Sequence, residues 1–123
     1  MNSSSTQNLT VQIVRFVDDR FPGWVACEFV DANSLRHVLI DKVPIFTDEL
    51  LGPTSSYPQL GCAPCEVLAR WQDTQGRELV RVTLARPVGM ESTEGLSEFV
   101  VTTTQLSNEG KPGTDGTFSD TCP

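Results

Sequence analysis

Basic residues are scarce in this chain, and histidine is almost absent. Nine Lys and Arg stand against sixteen Asp and Glu, a formal net charge of −7, with one histidine. Seven of the nine basic residues are scattered singly between Arg15 and Arg81, without a run. Affinity for a phosphate backbone comes from cations that displace counterions, so such a chain is repelled by DNA and RNA. Nucleic acid and anionic membrane surfaces are thus not expected partners; a basic protein is the charge-complementary one. Long hydrophobic runs are also missing: nothing approaches the roughly eighteen apolar residues that span a bilayer. The stretch "MNSSSTQNLTVQIVRF" has no basic leader and no apolar core before a small-residue cleavage site, so it does not read as a signal peptide. These absences predict a cytoplasmic, reducing setting, where the four cysteines stay thiols.

What is present suits one globular domain. The 123 residues are 38% hydrophobic, and two Trp and six Phe are spread over positions 16 to 118. A chain of this size buries roughly two thirds of its unfolded surface, enough for one core. Residues 1–8 are Ser, Thr, Asn and Gln rich and read as a disordered lead-in. Residues 107–123 are rich in Gly and Pro, with Phe118 the one large apolar side chain, and read as a flexible tail. The folded unit is then 9–106.

Inside it the punctuation is that of a β-protein. "LTVQIVRFVD" is β-branched, without a helical stripe. "GWVACEFVDANSLRHVLIDKVPIF" holds two apolar runs around Asp31, Ala32, Asn33 and Ser34, which are turn formers and predict a hairpin. "CEVLARWQDTQGRELVRVTLAR" repeats the pattern: Val67, Ala69 and Trp71 alternate, Asp73 to Gly76 turn the chain, and Leu79 to Leu84 return. "LSEFVVTTTQL" supplies a last strand. The fold class is all-β: six mostly antiparallel strands closed into a small barrel or folded into a sandwich, which limits exposed edges. "TDELLG", with Thr47 as N-cap and Gly52 beyond, is the expected single helical turn.

Four groups of residues could carry chemistry. Cys62 and Cys65 form a CxxC. A redox pair needs a helix N-terminus to lower the thiol pKa, and a structural zinc needs a second ligand pair. The motif instead leads into a strand, and Cys27, His37 and Cys122 supply no second short-spaced pair. No metal or other cofactor is expected, and Cys65 and Cys27 read as small core side chains on neighbouring strands. His37 lies in phase with Leu35 and Leu39 in "SLRHVLID", and no nucleophile elbow surrounds any serine, so no catalytic residue is assigned.

The turn "FVDDRFPGWV" lacks the alternating oxygens of a calcium loop, but Arg20 beside aromatics, Trp24 among them, suits an interaction hot spot. In "ARPVGMESTEGLSEF", Glu91, Ser92, Thr93 and Glu94 have two readings: the hydroxyls bond their own backbone in a turn, or the segment is a binding loop.

Taken together, "FPGWVACEFVDAN", "GRELVRVTLARP" and "ESTEGLSEFVV" resemble segments of small bacterial all-β proteins with no assigned activity, so the resemblance implies a bacterial, self-contained domain and no site residues. The expected function is a non-enzymatic protein-interaction module, inhibitor or immunity-like in one version. Its binding residues would be Glu91, Ser92, Thr93, Glu94, Arg20 and Trp24. The alternatives are a small-ligand barrel or enzyme using Glu91, Glu94 and His37, and a metal or redox protein using Cys62 and Cys65.

Overall fold

The computed structural model describes residues 6–107. The expectations for residues 1–5 and 108–123 fall outside that range. Strands β1 (Thr6–Asp18), β2 (Trp24–Val30), β3 (Arg36–Lys42), β4 (Gln59–Gln72), β5 (Glu78–Thr83) and β6 (Glu98–Thr102) form one antiparallel sheet in the order β3-β2-β1-β4-β5-β6. A two-residue strand, β7 (Leu106–Ser107), adds to β1. The sheet curls into a half-barrel, the all-β architecture that the strand pattern predicts. Thr6, Gln7 and Asn8, expected in the lead-in, already pair with Glu66, Cys65 and Pro64.

Alternation within the strands builds the core. Leu9, Val11 and Ile13 of β1 face inward with Val25, Cys27 and Phe29 of β2, Val80 and Val82 of β5, and Phe99 and Val101 of β6. The curl comes from bulges. The β1–β2 register slips between Ile13 and Arg15 and again between Phe16 and Asp18, and β4–β5 slips between Val67 and Ala69. An extra residue in one strand bends it and sharpens its twist.

The last slip also overturns an expected side-chain phase. Leu68 is the inserted residue, so Ala69 is exposed and Trp71 stands 38% exposed rather than following Val67 inward. Both predicted hairpin turns form. Asp31 to Ser34 closes with the Ser34 amide donating to the Asp31 carbonyl, and Gly76, at φ +82°, donates to Asp73.

The helical turn sits one step earlier than expected. α1 covers Val43–Phe46, with Pro44 at its start, where a missing N–H costs nothing. Thr47 ends it in an extended conformation, and its hydroxyl accepts from the Glu49 amide at 3.1 Å. The turn-forming signal of Thr47 is thus used after the helix. α1 begins the crossover from β3 to β4, which are not neighbours in the sheet, and buries Phe46 at the end of the barrel. Gly61 of β4 makes room for it: a Cβ there would stand 2.8 Å from Ile13 Cδ1 and 3.1 Å from the Phe46 carbonyl oxygen.

The two edges of the half-barrel, β3 and β6, approach one another. Ala32 donates its amide to the Val100 carbonyl at 2.8 Å, and Thr93 donates to Val38 at 2.9 Å. Inside the seam, the rings of Phe29, His37 and Phe99 pack together, His37 lying 4.7 Å from Phe99 between centroids.

Candidate interaction surface

The end of the barrel that carries the β1–β2 turn and the start of the crossover presents the least ordinary surface. Phe21 is 95% exposed and Leu50 98% exposed. They border one cavity of about 310 Å³, whose walls include Pro22, Val43, Pro44 and Leu51, with Asp48 and Glu49 among the lining residues. Single exposed apolar side chains are common on proteins; here two large ones line the same depression.

Local chemistry fixes this geometry. Gly23 sits at φ +98°, its amide donating to the Arg20 carbonyl at 2.6 Å, and its own carbonyl accepting from the Val43 amide at 2.9 Å. The β1–β2 turn is thereby bonded to the first residue of α1, and Phe21 is left at the apex.

Arg20 and Trp24, the expected hot spot of this turn, each contact a neighbouring side chain. The Arg20 guanidinium binds Asp18, Nη2 to Oδ2 at 2.8 Å, and the Arg20 amide donates to Asp18 Oδ1 at 2.8 Å. These contacts, side chain first, hold the Asp18 carboxyl below the usual carboxylate range. Trp24 is half-buried under the Lys42 ammonium, 5.1 Å from the ring centroid. The exposed aromatic is Phe21, which no sequence pattern separates from Trp24 three residues on. Leu50 was equally illegible, because it belongs to the segment expected to be helical.

The 91–94 loop lies elsewhere, on the open edge of β3. Ser92 bridges Leu39, is buried, and its hydroxyl accepts from the amides of Glu94 and Leu96, both at 3.2 Å. Thr93 is exposed and gives its amide to β3, while Glu91 and Glu94 are exposed. The Ser92 hydroxyl thus bonds its own backbone as a turn would have it, while Glu91, Thr93 and Glu94 stay on the surface.

The ligand-site alternative meets a different geometry. His37 is only 7% exposed; Nε2 lies 2.8 Å from Asp31 Oδ2, while Nδ1 is buried without a partner among the described residues. Asp31 also accepts from the Asn33 and Leu35 amides. Burial alone would raise the Asp31 pKa, but the His37 hydrogen bond and the two amides together hold it below the usual range. His37 lines a cavity of about 260 Å³ in the seam with Arg81 and Glu98, and neither Glu91 nor Glu94 lines it. The three titratable residues are therefore not joined in that cavity.

The CxxC lies within β4, where residues three apart face opposite sides of the sheet. Cys62 is disulfide-bonded, contrary to the expectation of four reduced thiols, and Cys65 and Cys27 are free, so Cys62 and Cys65 are not bonded to each other. The expectation inferred redox state from the lack of a leader, which does not report it. Cys65 and Cys27 are buried on β4 and β2, but β1 lies between them, so they are not on neighbouring strands. Burial pushes the Cys65 thiol up to about 12, and Cys27 higher still.

No family model, curated protein or solved structure matches the chain. Among the described residues no helix is long and apolar enough to cross a membrane.

Proposed function

We propose that this chain is a non-enzymatic protein-interaction domain that docks a basic protein partner on the face around Phe21 and Leu50. The supporting observation is the near-complete exposure of both side chains about one cavity, with carboxylates beside them. Burying one such side chain is worth roughly 1.5–3 kcal/mol, so a partner that covers both gains affinity that the isolated domain forgoes. The sign of the surroundings selects the partner. Asp19, Asp48 and Glu49 flank the apolar pair, and Arg20 is neutralised by Asp18. A second copy of the chain would bring the same carboxylates into opposition, which disfavours self-pairing. Inhibition of a basic protein is one form this role takes.

The test compares the native chain with the Phe21→Ser, Leu50→Ser double variant as bait in extract from the source cells. Retention of a basic partner by the native chain, its loss from a variant with unchanged circular dichroism, and weakening with added salt are expected. Equal capture by both baits, or a native chain that sediments as a dimer through this face, overturns the proposal.

A further inference from the structure

The shape and rim of this surface narrow the partner's chemistry further, on the premise that the acidic face is the docking face. We infer that the Phe21–Leu50 cavity receives one large apolar side chain, of leucine or phenylalanine size, carried on a segment of the partner flanked by Lys or Arg.

Size comes first. About 310 Å³ is the lower end of the range for ligand pockets, roughly 300–1,000 Å³. It has room for a side chain, whereas a helix or an added strand needs a groove. The walls are apolar: Phe21 and Pro22 from the turn, Val43 and Pro44 from α1, Leu50 and Leu51 from the crossover. Burial of an anchor of this kind at the centre of a contact is where interface energy concentrates.

Rigidity comes second. The Val43 amide is bonded to Gly23, the Thr47 amide to Val43 at 3.2 Å, and the Thr47 hydroxyl to the Glu49 amide. The backbone on either side of the cavity is held before contact, so the ordering cost on binding falls mainly on the exposed Phe21 and Leu50 side chains.

Charge comes third. Asp48 and Glu49 directly precede Leu50 and line the cavity, and on the turn Asp18 is paired with Arg20, which leaves the charge of Asp19 two residues before Phe21. An inserted side chain therefore reaches the cavity past carboxylates, and cationic neighbours speed its approach. Around the chain's own Phe21 stand Asp18, Asp19 and Arg20, the last paired to Asp18, so a second copy does not present the net cationic flanks described.

The experiment titrates the full chain with three synthetic twelve-residue peptides at low salt, followed by amide NMR shifts. Two have Lys and Arg flanks and differ only in a central Leu or Ser; the third has the central Leu between Glu flanks. The Leu-centred basic peptide should bind about tenfold or more tighter than its Ser twin, consistent with burial of one such side chain. Shifts should centre on residues 21–23 and 43–51, and the advantage should vanish in Phe21→Ser, Leu50→Ser. Equal binding of the two basic peptides, with the acidic one excluded, overturns the side-chain anchor and leaves the acidic docking face standing. Equal binding of the basic and acidic Leu peptides overturns the cationic flanks. Failure of all three peptides to bind overturns both the inference and the function it rests on.

Discussion

Asp31 and His37 are joined across the mouth of the β2–β3 hairpin, Oδ2 to Nε2 at 2.8 Å, while the other carboxylate oxygen holds the amides of Asn33 and Leu35. One side chain thus closes the turn and orients the only histidine against Phe29 and Phe99. The same turn gives the Ala32 amide to β6, so the pair also supports the seam between the barrel's edges.

Asp31→Asn should therefore destabilise the domain at neutral pH by about 1–3 kcal/mol, the cost of weakening charge-assisted hydrogen bonds. The pH dependence has a definite sign. The folded pKa of Asp31 lies below its ordinary 3.8, so its contribution is complete above that value and disappears as pH falls through the folded pKa. Urea midpoints measured from pH 6 down to 2 should fall less steeply for the variant below pH 4. Parallel curves would show that the carboxylate charge contributes nothing.

Trp71→Ala should cost less than about 1 kcal/mol, and Phe99→Ala about 3–5 kcal/mol. Trp71 is on the exposed side of a strand whose phase the Leu68 bulge reverses, while Phe99 is buried against Phe29 and His37. Thermal melts of the two variants decide it, and a larger loss at Trp71 would refute the bulged register.

This reversal shows where the sequence was readable and where it was not. Strand identity followed from β-branched runs and from turn chemistry at Asp31 to Ser34 and Asp73 to Gly76, which act locally. The bulges at Val14, Val17 and Leu68 answer to the curvature of the whole sheet, and no residue type announces them. Thr47 was legible as a cap but not as a cap after the helix, because Pro44 was the stronger start signal. The candidate surface was half legible. The turn from Asp18 to Trp24 stood out, but whether Phe21 or Trp24 projects depends on Lys42, brought alongside by strand pairing.

Gly61→Ala should destabilise the fold by roughly 1–3 kcal/mol through overpacking. The new methyl would press on Ile13, which is fully buried, and on the Phe46 carbonyl, so neither neighbour yields freely. Pairing it with Ile13→Val, which removes the Cδ1 atom in closest approach, should recover part of the loss. A double-mutant cycle with no coupling would place the glycine's importance elsewhere.

Cys65 and Cys27 should resist alkylation by iodoacetamide at pH 8 in the native chain and react rapidly once it is unfolded. Reaction needs the thiolate, and burial holds Cys65 at about 12 and Cys27 above it. Mass spectrometry of native and denatured samples reads the difference. Fast native labelling at either position would mean that β4 or β2 opens far more readily than a core strand should.

The segment from Glu91 to Leu96 separates structural from surface roles within six residues. Ser92 is buried and its hydroxyl receives two amides, so Ser92→Ala leaves both donors unsatisfied beside the β3 edge and should cost about 1–3 kcal/mol. Glu91 and Glu94 point to water, so Glu91→Ala with Glu94→Ala should melt within a degree or two of the native chain. If a basic partner docks on the Phe21–Leu50 face as proposed, the acid pair contributes charge but no anchor. Its removal should slow association with a basic partner and flatten the salt dependence, leaving the dissociation rate nearly unchanged. Phe21→Ser, Leu50→Ser should do the reverse, raising the dissociation rate while steering persists. If the acid-pair variant instead dissociates faster and the apolar variant binds normally, the contact lies at the β3 edge, and the docking face moves from the β1–β2 turn to the loop that closes the seam.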